Sequence, residues 1–248
     1  MELKSIPLYR LYDDLAYLWP LMSPPEEYAE EAAYWRENLR EALGPGKHPI
    51  LELGVGGGHN LSHLTSDVEA TAVDVSEKML DLSRQLNPDV KHLLGDMRDI
   101  RIGRTFKAVL IHDAISHMLS EADLLAAFNT AAAHLEPGGI FMTAPDYFRE
   151  TFHEPHVEHS ARSNGHLQLT YFEYGYDPDP DDTTIETVFT HMIREGGRLR
   201  IEHDRFITGL FPKATWVRLI KEAGFSFEER SYRLRSTKTA YVMLIGRL

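Results

Sequence analysis

Within the eleven residues Ile50-Leu51-Glu52-Leu53-Gly54-Val55-Gly56-Gly57-Gly58-His59-Asn60, four glycines follow an apolar run that carries one carboxylate. Glycine admits positive φ and lets the backbone approach a ligand closely, and the free N–H groups that open a helix can hold an anion. Asp74 ends the next apolar run, twenty residues beyond Gly54. A carboxylate there can accept both hydrogen bonds of a ribose diol. Gly95-Asp96-Met97 and Ile111-His112-Asp113 end two further runs. These types and spacings point to a nucleoside-like ligand at the switch point of an α/β sheet.

Such residues need strands that carry them to one edge. Strands are expected at His48–Leu53, Ala70–Asp74, Val90–Leu94, Phe106–Ile111 and Ile140–Ala144, the last after the turn Pro137-Gly138-Gly139. A helix starts over Asn60–Leu64, and others cover Glu77–Leu86 and Glu121–Leu135. This alternation implies right-handed crossovers and a parallel sheet covered on both faces. Upstream, Glu26–Leu43 reads as a helix behind Ser23-Pro24-Pro25, closed by Gly44-Pro45-Gly46. After Pro145 the period changes to two. Gly165–Tyr176, Thr184–Glu195 and Arg198–Thr208 predict an antiparallel insert of three strands, with Gly196-Gly197 as a hairpin signal. Pro212–Ala223 returns to helix, and Phe225–Arg233 with Thr239–Ile245 reads as a hairpin on the sheet edge.

The 248 residues carry 38 acidic and 26 basic side chains, a formal charge of −12, and no cysteine. A hydrophobic fraction of 43% and a charged fraction of 26% are those of a globular protein with room for a substantial core. No run reaches the roughly 18 apolar residues of a membrane span, and MELKSIPLYR lacks the apolar stretch of a signal peptide. Lack of cysteine excludes disulfides, thiolate catalysis and cysteine zinc sites, and fits a cytoplasmic setting. The negative charge argues against a phosphate backbone, so neither nucleic acid nor membrane is an expected partner; a homodimer stays open. Residues 145–209 hold 13 acidic and 6 basic side chains and six of the thirteen histidines, against 3 acidic and 8 basic in residues 210–248. The expected organisation is a single domain, 1–248. It comprises an N-terminal helical lid, 1–44, a ligand-binding core from 45–144 and 210–248, and the antiparallel insert, 145–209.

Two cofactors suit a glycine turn with an acidic partner. A nicotinamide oxidoreductase wants Gly-x-Gly-x-x-Gly, but His59 stands at the last position, and Glu52 is a poor neighbour for a pyrophosphate. S-adenosylmethionine (SAM) brings a carboxylate and an ammonium, and so needs donors at the helix start and acceptors close by. Asp96 can accept from the adenine amine, the Met97 N–H can reach a ring nitrogen, and carbonyls around His112 can hold the ammonium.

Glu52-Leu53-Gly54-x-Gly56-x-Gly58, Asp74, Gly95-Asp96-Met97-Arg98-Asp99 and Glu136-Pro137-Gly138-Gly139 resemble the signature segments of the class I SAM-dependent methyltransferases. More narrowly, residues 95–104 and Phe148-Arg149-Glu150-Thr151-Phe152 resemble the N,N-dimethyltransferases of deoxyamino sugars; residues 153–205 depart from them in length and histidine content. The resemblance implies a doubly wound, Rossmann-like, seven-stranded sheet of order 3-2-1-4-5-7-6, with the β insert after strand 5. It implies SAM as methyl donor, with S-adenosylhomocysteine as product, and a small-molecule acceptor, with nitrogen favoured over oxygen.

In-line placement of nucleophile and sulfonium supplies most of the acceleration in such a transfer. A neutral amine need only shed a proton, whereas a hydroxyl needs a positioned base. His117 is the first catalytic candidate, because the resemblance places a histidine or tyrosine facing the acceptor there; a helix-entry histidine is the plain alternative. The cofactor set is Tyr12, Tyr17, Glu52, Gly54, Gly56, Asn60, Asp74, Val75, Met79, Asp96, Met97 and His112. Tyr12 and Tyr17 enter through the lid that the resemblance suggests, where aromatic faces suit a cation; an amphipathic helix covering the sheet is the alternative. On the insert, one expected face runs Ile185, Thr187, Phe189, His191, Ile193 and the next Leu199, Ile201, His203, Arg205, Ile207. His191, His203 and Arg205, with Tyr147, are the acceptor candidates.

Three features stand outside this scheme. His153, His156 and His159 with Glu154 and Glu158 have helical spacing, but Pro155 interrupts it, and no metal is expected. Asp177-Pro178-Asp179-Pro180-Asp181-Asp182 lacks the glycine and distal glutamate of an EF-hand loop and reads as a solvated loop. Arg230, Arg233, Arg235 and Lys238 read as a solvated basic face. The rival functions are a nicotinamide oxidoreductase and a non-catalytic SAM-binding protein. Nucleic-acid methylation is disfavoured by His112-Asp113-Ala114-Ile115 where Asn/Asp-Pro-Pro-Tyr/Phe would be needed.

Overall fold

The computed structural model describes residues 3–235 and 240–248. The N-terminal stretch 11–19 is no amphipathic helix. It forms separate 3-10 turns at Arg10–Tyr12 and Ala16–Leu18, then a single α turn, α1 (Trp19–Met22). The cause is a buried carboxylate far along the chain: Asp204 accepts the N–H groups of Arg10 at 2.9 Å and Leu11 at 2.8 Å. Tyr9 turns into the left-handed region, φ 58°, to make that approach. A 3-10 turn at Pro25–Tyr28 leads into α2 (Ala29–Leu43), which Gly44 ends at φ 79°.

The alternation downstream folds as expected. It runs β1 (His48–Leu53), α3 (His59–Ser62), β2 (Val68–Asp74), α4 (Glu77–Leu86), β3 (Lys91–Leu94), β4 (Phe106–Ile111), α5 (Glu121–Ala133) and β5 (Leu135–Thr143). Serines open α4 and α5: Ser76 Oγ accepts the Met79 N–H and Ser120 Oγ the Asp123 N–H, each at 3.1 Å. The Pro137-Gly138-Gly139 segment lies inside β5 rather than before it, at a register shift between the Phe106 and Ala108 pairings. After the insert come α6 (Lys213–Glu222), β10 (Glu228–Arg233) and β11 (Ala240–Arg247). Lys238 and Thr239 lie outside the described residues. The seven-stranded sheet has the order β3-β2-β1-β4-β5-β11-β10, with β11 antiparallel to β5. This is the Rossmann-like order 3-2-1-4-5-7-6 once the edge hairpin is counted as strands 6 and 7.

Apolar residues alternate to two cores. Leu51, Leu53, Val109, Ile111 and Phe141 pack with Phe128 of α5 and Trp216 of α6. Ile50, Ala108, Leu110, Ile140 and Met142 pack with Trp35 and Leu39 of α2. Burial on both faces makes these strands near-continuous apolar runs.

The insert has four strands, not three: β6 (His156–Ser163), β7 (Leu167–Tyr176), β8 (Thr184–Glu195) and β9 (Arg198–Gly209), paired antiparallel in that order. The polar stretch with histidines at helical spacing is therefore a strand. Its two-residue period sends His156 and His159 to opposite faces, and His159 stacks on Phe172. The N-terminal stretch borders β9: Tyr9 N–H donates to the Arg205 carbonyl and Arg205 N–H to the Pro7 carbonyl, each at 3.1 Å. Arg230 of the basic C-terminal set is tied to Glu41 and Glu228, and Arg235 N–H donates to Glu30.

Candidate active site

The glycine turn after β1 is held by backbone and by one carboxylate. Gly54 N–H and Val55 N–H both donate to the Val73 carbonyl, at 2.8 and 3.0 Å. Gly54 has φ 76°, and a β-carbon there would drive into Ala114 and lie 2.9 Å from Met97 Cε. Asp74 Oδ2 accepts the Gly56 N–H at 2.7 Å and Oδ1 the Ser76 N–H at 2.9 Å. An ionised carboxylate has about four acceptor sites, so these bonds leave acceptor capacity for a ligand. Burial raises the Asp74 pKa from its ordinary value, with the backbone N–H groups of Ser76, Gly56 and Val75 pulling the other way.

A cavity of about 1230 Å³ opens in front of this turn. Glu52, Gly54, Gly56, Asn60, Asp74, Val75, Met79, Asp96 and Met97 line one end of it. Glu52 is 3% exposed, and burial, with Asp113 and Asp74 nearby, pushes its carboxyl up to about 8. Among the described residues, Glu52 Oε2, Asn60 Oδ1 and His59 Nδ1 are buried without a hydrogen-bond partner. Asp96 is less free than its motif implied. Arg98 forks onto it, with Nη2 2.6 Å from Oδ2 and Nε 3.0 Å from both oxygens.

At the tip of β4 the His112 ring lies between two carboxylates, Nε2 3.0 Å from Glu31 and Nδ1 3.1 Å from Asp113. Burial disfavours the imidazolium, but the two acids outweigh it and raise its pKa well above the ordinary value. The side chain is thus engaged within the protein, and only the backbone of His112 is left for a ligand. Five residues on, His117 Nε2 lies 3.1 Å from the Tyr12 hydroxyl. Burial lowers the His117 pKa, with Asp113 opposing, so the ring is neutral near pH 7. Tyr9, Tyr12 and Phe206 surround it with ring centroids 5.6, 5.4 and 6.0 Å away.

One face of the four-stranded sheet lines the cavity beyond this turn, with Asp146 and Tyr147 after β5. Of the four residues expected there, Tyr147 lines the cavity and three do not. On β9 the phase is opposite to the one expected. Phe206 sits across from Thr187 and Thr208 from Ile185, so the even-numbered residues face inward. Arg205 pairs instead with Val188 on the other face, where its guanidinium meets Glu186 at 3.2 Å. His203 shares that face and contacts Thr190 Oγ1 at 3.2 Å. His191 is on the inward-facing set but lies beyond the cavity, fully buried and stacked on Phe189. Burial pushes it down to about 4, so it is neutral. Tyr17, expected at the cofactor, is exposed and contacts Arg200 through its hydroxyl.

Residues 50–139 match the family described as a methyltransferase domain. The chain is 32% identical over 179 residues to the dTDP-3-amino-3,4,6-trideoxy-alpha-D-glucopyranose N,N-dimethyltransferase of Streptomyces venezuelae, covering 71% of this chain and 68% of that protein. It is 30% identical over 205 residues to the dTDP-3-amino-3,6-dideoxy-alpha-D-glucopyranose N,N-dimethyltransferase of Streptomyces fradiae, covering 82% and 79%. The crystal structure of Streptomyces venezuelae DesVI superposes with a TM-score of 0.79 at 25% identity, covering 94% of this chain and 95% of that one. The chain belongs to the class I SAM-dependent methyltransferases, close to the deoxyamino-sugar N,N-dimethyltransferases.

The residues of this methyltransferase suit SAM on structural grounds. One Glu52 oxygen is buried with no hydrogen-bond partner, and the Gly54 turn leaves no room for a β-carbon. SAM supplies an electrophilic methyl group on a sulfonium. Asp74 would hold the ribose hydroxyls, Glu52 or the carbonyls around His112 the ammonium, and the Met97 N–H the base. Asp96 would meet the adenine amine, and the Arg98 that now holds it also reaches Asp123, with Nη1 3.1 Å from Oδ1.

Several lining residues escaped sequence reasoning: Tyr9, Trp19, Tyr28, His59, Asp146, Glu158, Glu173 and Phe206. Asp146 had a signal, as an acid three residues past the tip of β5, where Asp113 lies two past the tip of β4. Glu173 and Phe206 had none, since alternation leaves open which of two faces is inward.

Proposed function

We propose that this methyltransferase transfers methyl groups from SAM to the amino nitrogen of a small, sugar-like acceptor, to the dimethylamine. The observation that carries the reading is one cavity with two unlike ends and the Tyr12–His117 pair lining it between them. Its volume of about 1230 Å³ exceeds the roughly 300–1,000 Å³ of a site for one drug-sized ligand. The relatives named above are N,N-dimethyltransferases, which supports nitrogen over oxygen.

In this reading residues 45–144 and 210–248 hold the cofactor, the N-terminal segment closes over it, and residues 145–209 shape the acceptor end. An amine arrives as its ammonium and must lose a proton before it attacks. Neutral His117 can take that proton at Nε2, or hold Tyr12 as an acceptor toward the amine. The rings of Tyr9, Tyr12 and Phe206 keep water from the reacting atoms and offer faces to positive charge. Placement of the two reactants in line supplies the larger share of the rate.

The test is incubation of the purified chain with methyl-labelled SAM and amino-deoxysugars, followed by mass spectrometry. Products with one and then two added methyl groups on nitrogen are expected. Equal methylation of the analogue bearing a hydroxyl in place of the amine would overturn the assignment to nitrogen.

A further inference from the structure

His112 joins helix α2 to the cavity. Its ring lies beside Trp35 of α2, with centroids 5.0 Å apart, and its two nitrogens divide between two acids. Nε2 is 3.0 Å from Oε1 of Glu31, an oxygen that also accepts from the Tyr232 hydroxyl of β10. That nitrogen makes no well-aligned hydrogen bond, so its tie to Glu31 is ionic and depends on the imidazolium. Nδ1 is 3.1 Å from Oδ1 of Asp113. The two acids differ in place: the Glu31 side chain is 13% exposed, whereas that of Asp113 is 52% exposed and lines the cavity. Asp113 and His117 are the two ends of one five-residue 3-10 turn, and both line the cavity. The turn is fixed from two sides. The Tyr12 hydroxyl meets His117 Nε2, and Ser116 Oγ accepts the Asp146 N–H at 3.2 Å.

We infer that Asp113 is a positioning residue for methyl transfer, held by His112 and through it by Glu31, which stabilises the imidazolium formed when His117 takes the proton of the acceptor amine. In that step an N–H bond of the acceptor ammonium breaks and leaves its electron pair on nitrogen, while a new N–H bond forms at His117 Nε2. The freed pair then attacks the SAM methyl group, whose bond to sulfur breaks with its electrons on sulfur. Positive charge thus passes from the acceptor to the ring, where a fixed carboxylate favours it. That carboxylate must stay ionised among other acids. Glu31, Glu52 of β1 and Asp146 past β5 act on it or are acted on by it, as are the phenols of Tyr12 and Tyr28. Burial too favours the neutral acid, but the charge on His112 outweighs it and holds the Asp113 carboxyl below its ordinary value. Asp113 in turn opposes the burial that lowers the His117 pKa, and the rings of Tyr9, Tyr12 and Phe206 complete the surroundings of His117. The inference deepens the N-methyltransferase reading and rests on its assignment of the proton to His117.

Two measurements on the full chain test it. In the first, the chain carries isotope-labelled histidine and is saturated with S-adenosylhomocysteine, and NMR follows each ring against pH. The His117 and His112 signals are identified by their loss in His117→Ala and His112→Asn. Asp113→Asn should lower the proton affinity of His117 about 10-fold, Asp113→Glu should restore part of it, and Glu31→Gln should lower that of His112 by a similar factor. In the second, turnover is measured with SAM and dTDP-3-amino-3,6-dideoxyglucose, the nucleotide sugar for which the Streptomyces fradiae relative is named. Asp113→Asn should lower kcat about 10-fold and move the acid limb of its pH profile to lower pH, with acceptor KM and SAM affinity within a few fold. In a chain that already carries His117→Ala the same change should cost nothing further, because Asp113 acts through that ring. Either ring's titration unmoved by its variant overturns the inference. So does an equal loss of kcat with and without His117. If the parent leaves this sugar unmethylated, the sugar-like acceptor falls, and the titrations alone then uphold or overturn the inference.

Discussion

The two ends of the cavity are built on different principles. The cofactor end is mostly backbone, with a glycine turn pinned to Val73 and Asp74 held by two N–H groups; its side chains come from tips of adjacent parallel strands. The acceptor end is almost entirely side chain, projected from an antiparallel face and from the turns of the N-terminal segment. A ligand common to a whole family can be met by main-chain atoms that any sequence supplies. A ligand particular to one member must be met by side chains, and a sheet face lets those change without touching the fold. The carboxylates differ in kind as well. Asp74 and Asp96 are hydrogen-bonded within the protein, whereas Glu158 faces Glu173 with no strong partner.

If the contrast holds, Gly54→Val should be the most damaging change. A branched side chain at φ 76° drives into Ala114 and Met97, and SAM affinity by calorimetry should fall by at least ~100-fold. An affinity within a few fold of the parent would show that the turn does not cradle the cofactor. His117→Ala, at the junction, should lower kcat by about 100-fold, the low end for a group that moves a proton, with little change in SAM affinity. Undiminished turnover would remove His117 from the chemistry. The acceptor end is tested by two neighbours on β9. Phe206→Ala should raise the acceptor KM by roughly 10-fold, since an aromatic wall is lost, whereas Arg205→Ala on the opposite face should leave it unchanged. The reverse result would restore the phase read from alternation alone.

The last test concerns Glu52 and stability rather than activity. Its folded pKa of about 8 lies above the unfolded value near 4.5, so the folded protein retains a proton that the unfolded chain releases. The stabilisation is full below pH 4.5 and is lost as pH rises through 8. Glu52→Gln cannot titrate, so its melting temperature should match the parent near pH 4.5 and exceed it by roughly ten degrees at pH 8.5. Saturating SAM should narrow that gap, because an ammonium beside Glu52 stabilises the ionised form. A gap independent of pH would mean that Glu52 is not the buried acid described.

Legibility followed the range of the interactions. Strands β1, β2, β4 and β5 were readable because burial on both faces makes them continuous apolar runs, and Asp74 and Asp96 because they sit at strand ends set by local spacing. The N-terminal turns were not readable. The carboxylate that arranges them, Asp204, is 194 positions from Arg10. Strand β9 was misread for a reason internal to its sequence. Leu199, Ile201 and Ile207 make its odd face look apolar, yet Leu199 is 60% and Ile201 54% exposed. The face that packs is the even one, where Phe206 meets Phe189 and Tyr12. Polar β6 was missed because its inward residues, His156, Glu158 and Arg162, serve a cavity rather than a core.

The amino-acid order alone determined the sheet topology, the glycine turn and the carboxylates at consecutive strand tips, and hence the SAM-dependent chemistry. Those features depend on hydrophobic period, on φ freedom at single glycines and on spacing within a few tens of residues. The phase of the insert, the packing of Tyr12 against His117 across 105 positions and the facing of Glu158 on Glu173 depended on contacts between distant segments. A two-residue period is satisfied equally by either face, so the choice between them falls to whichever packing buries the chain best.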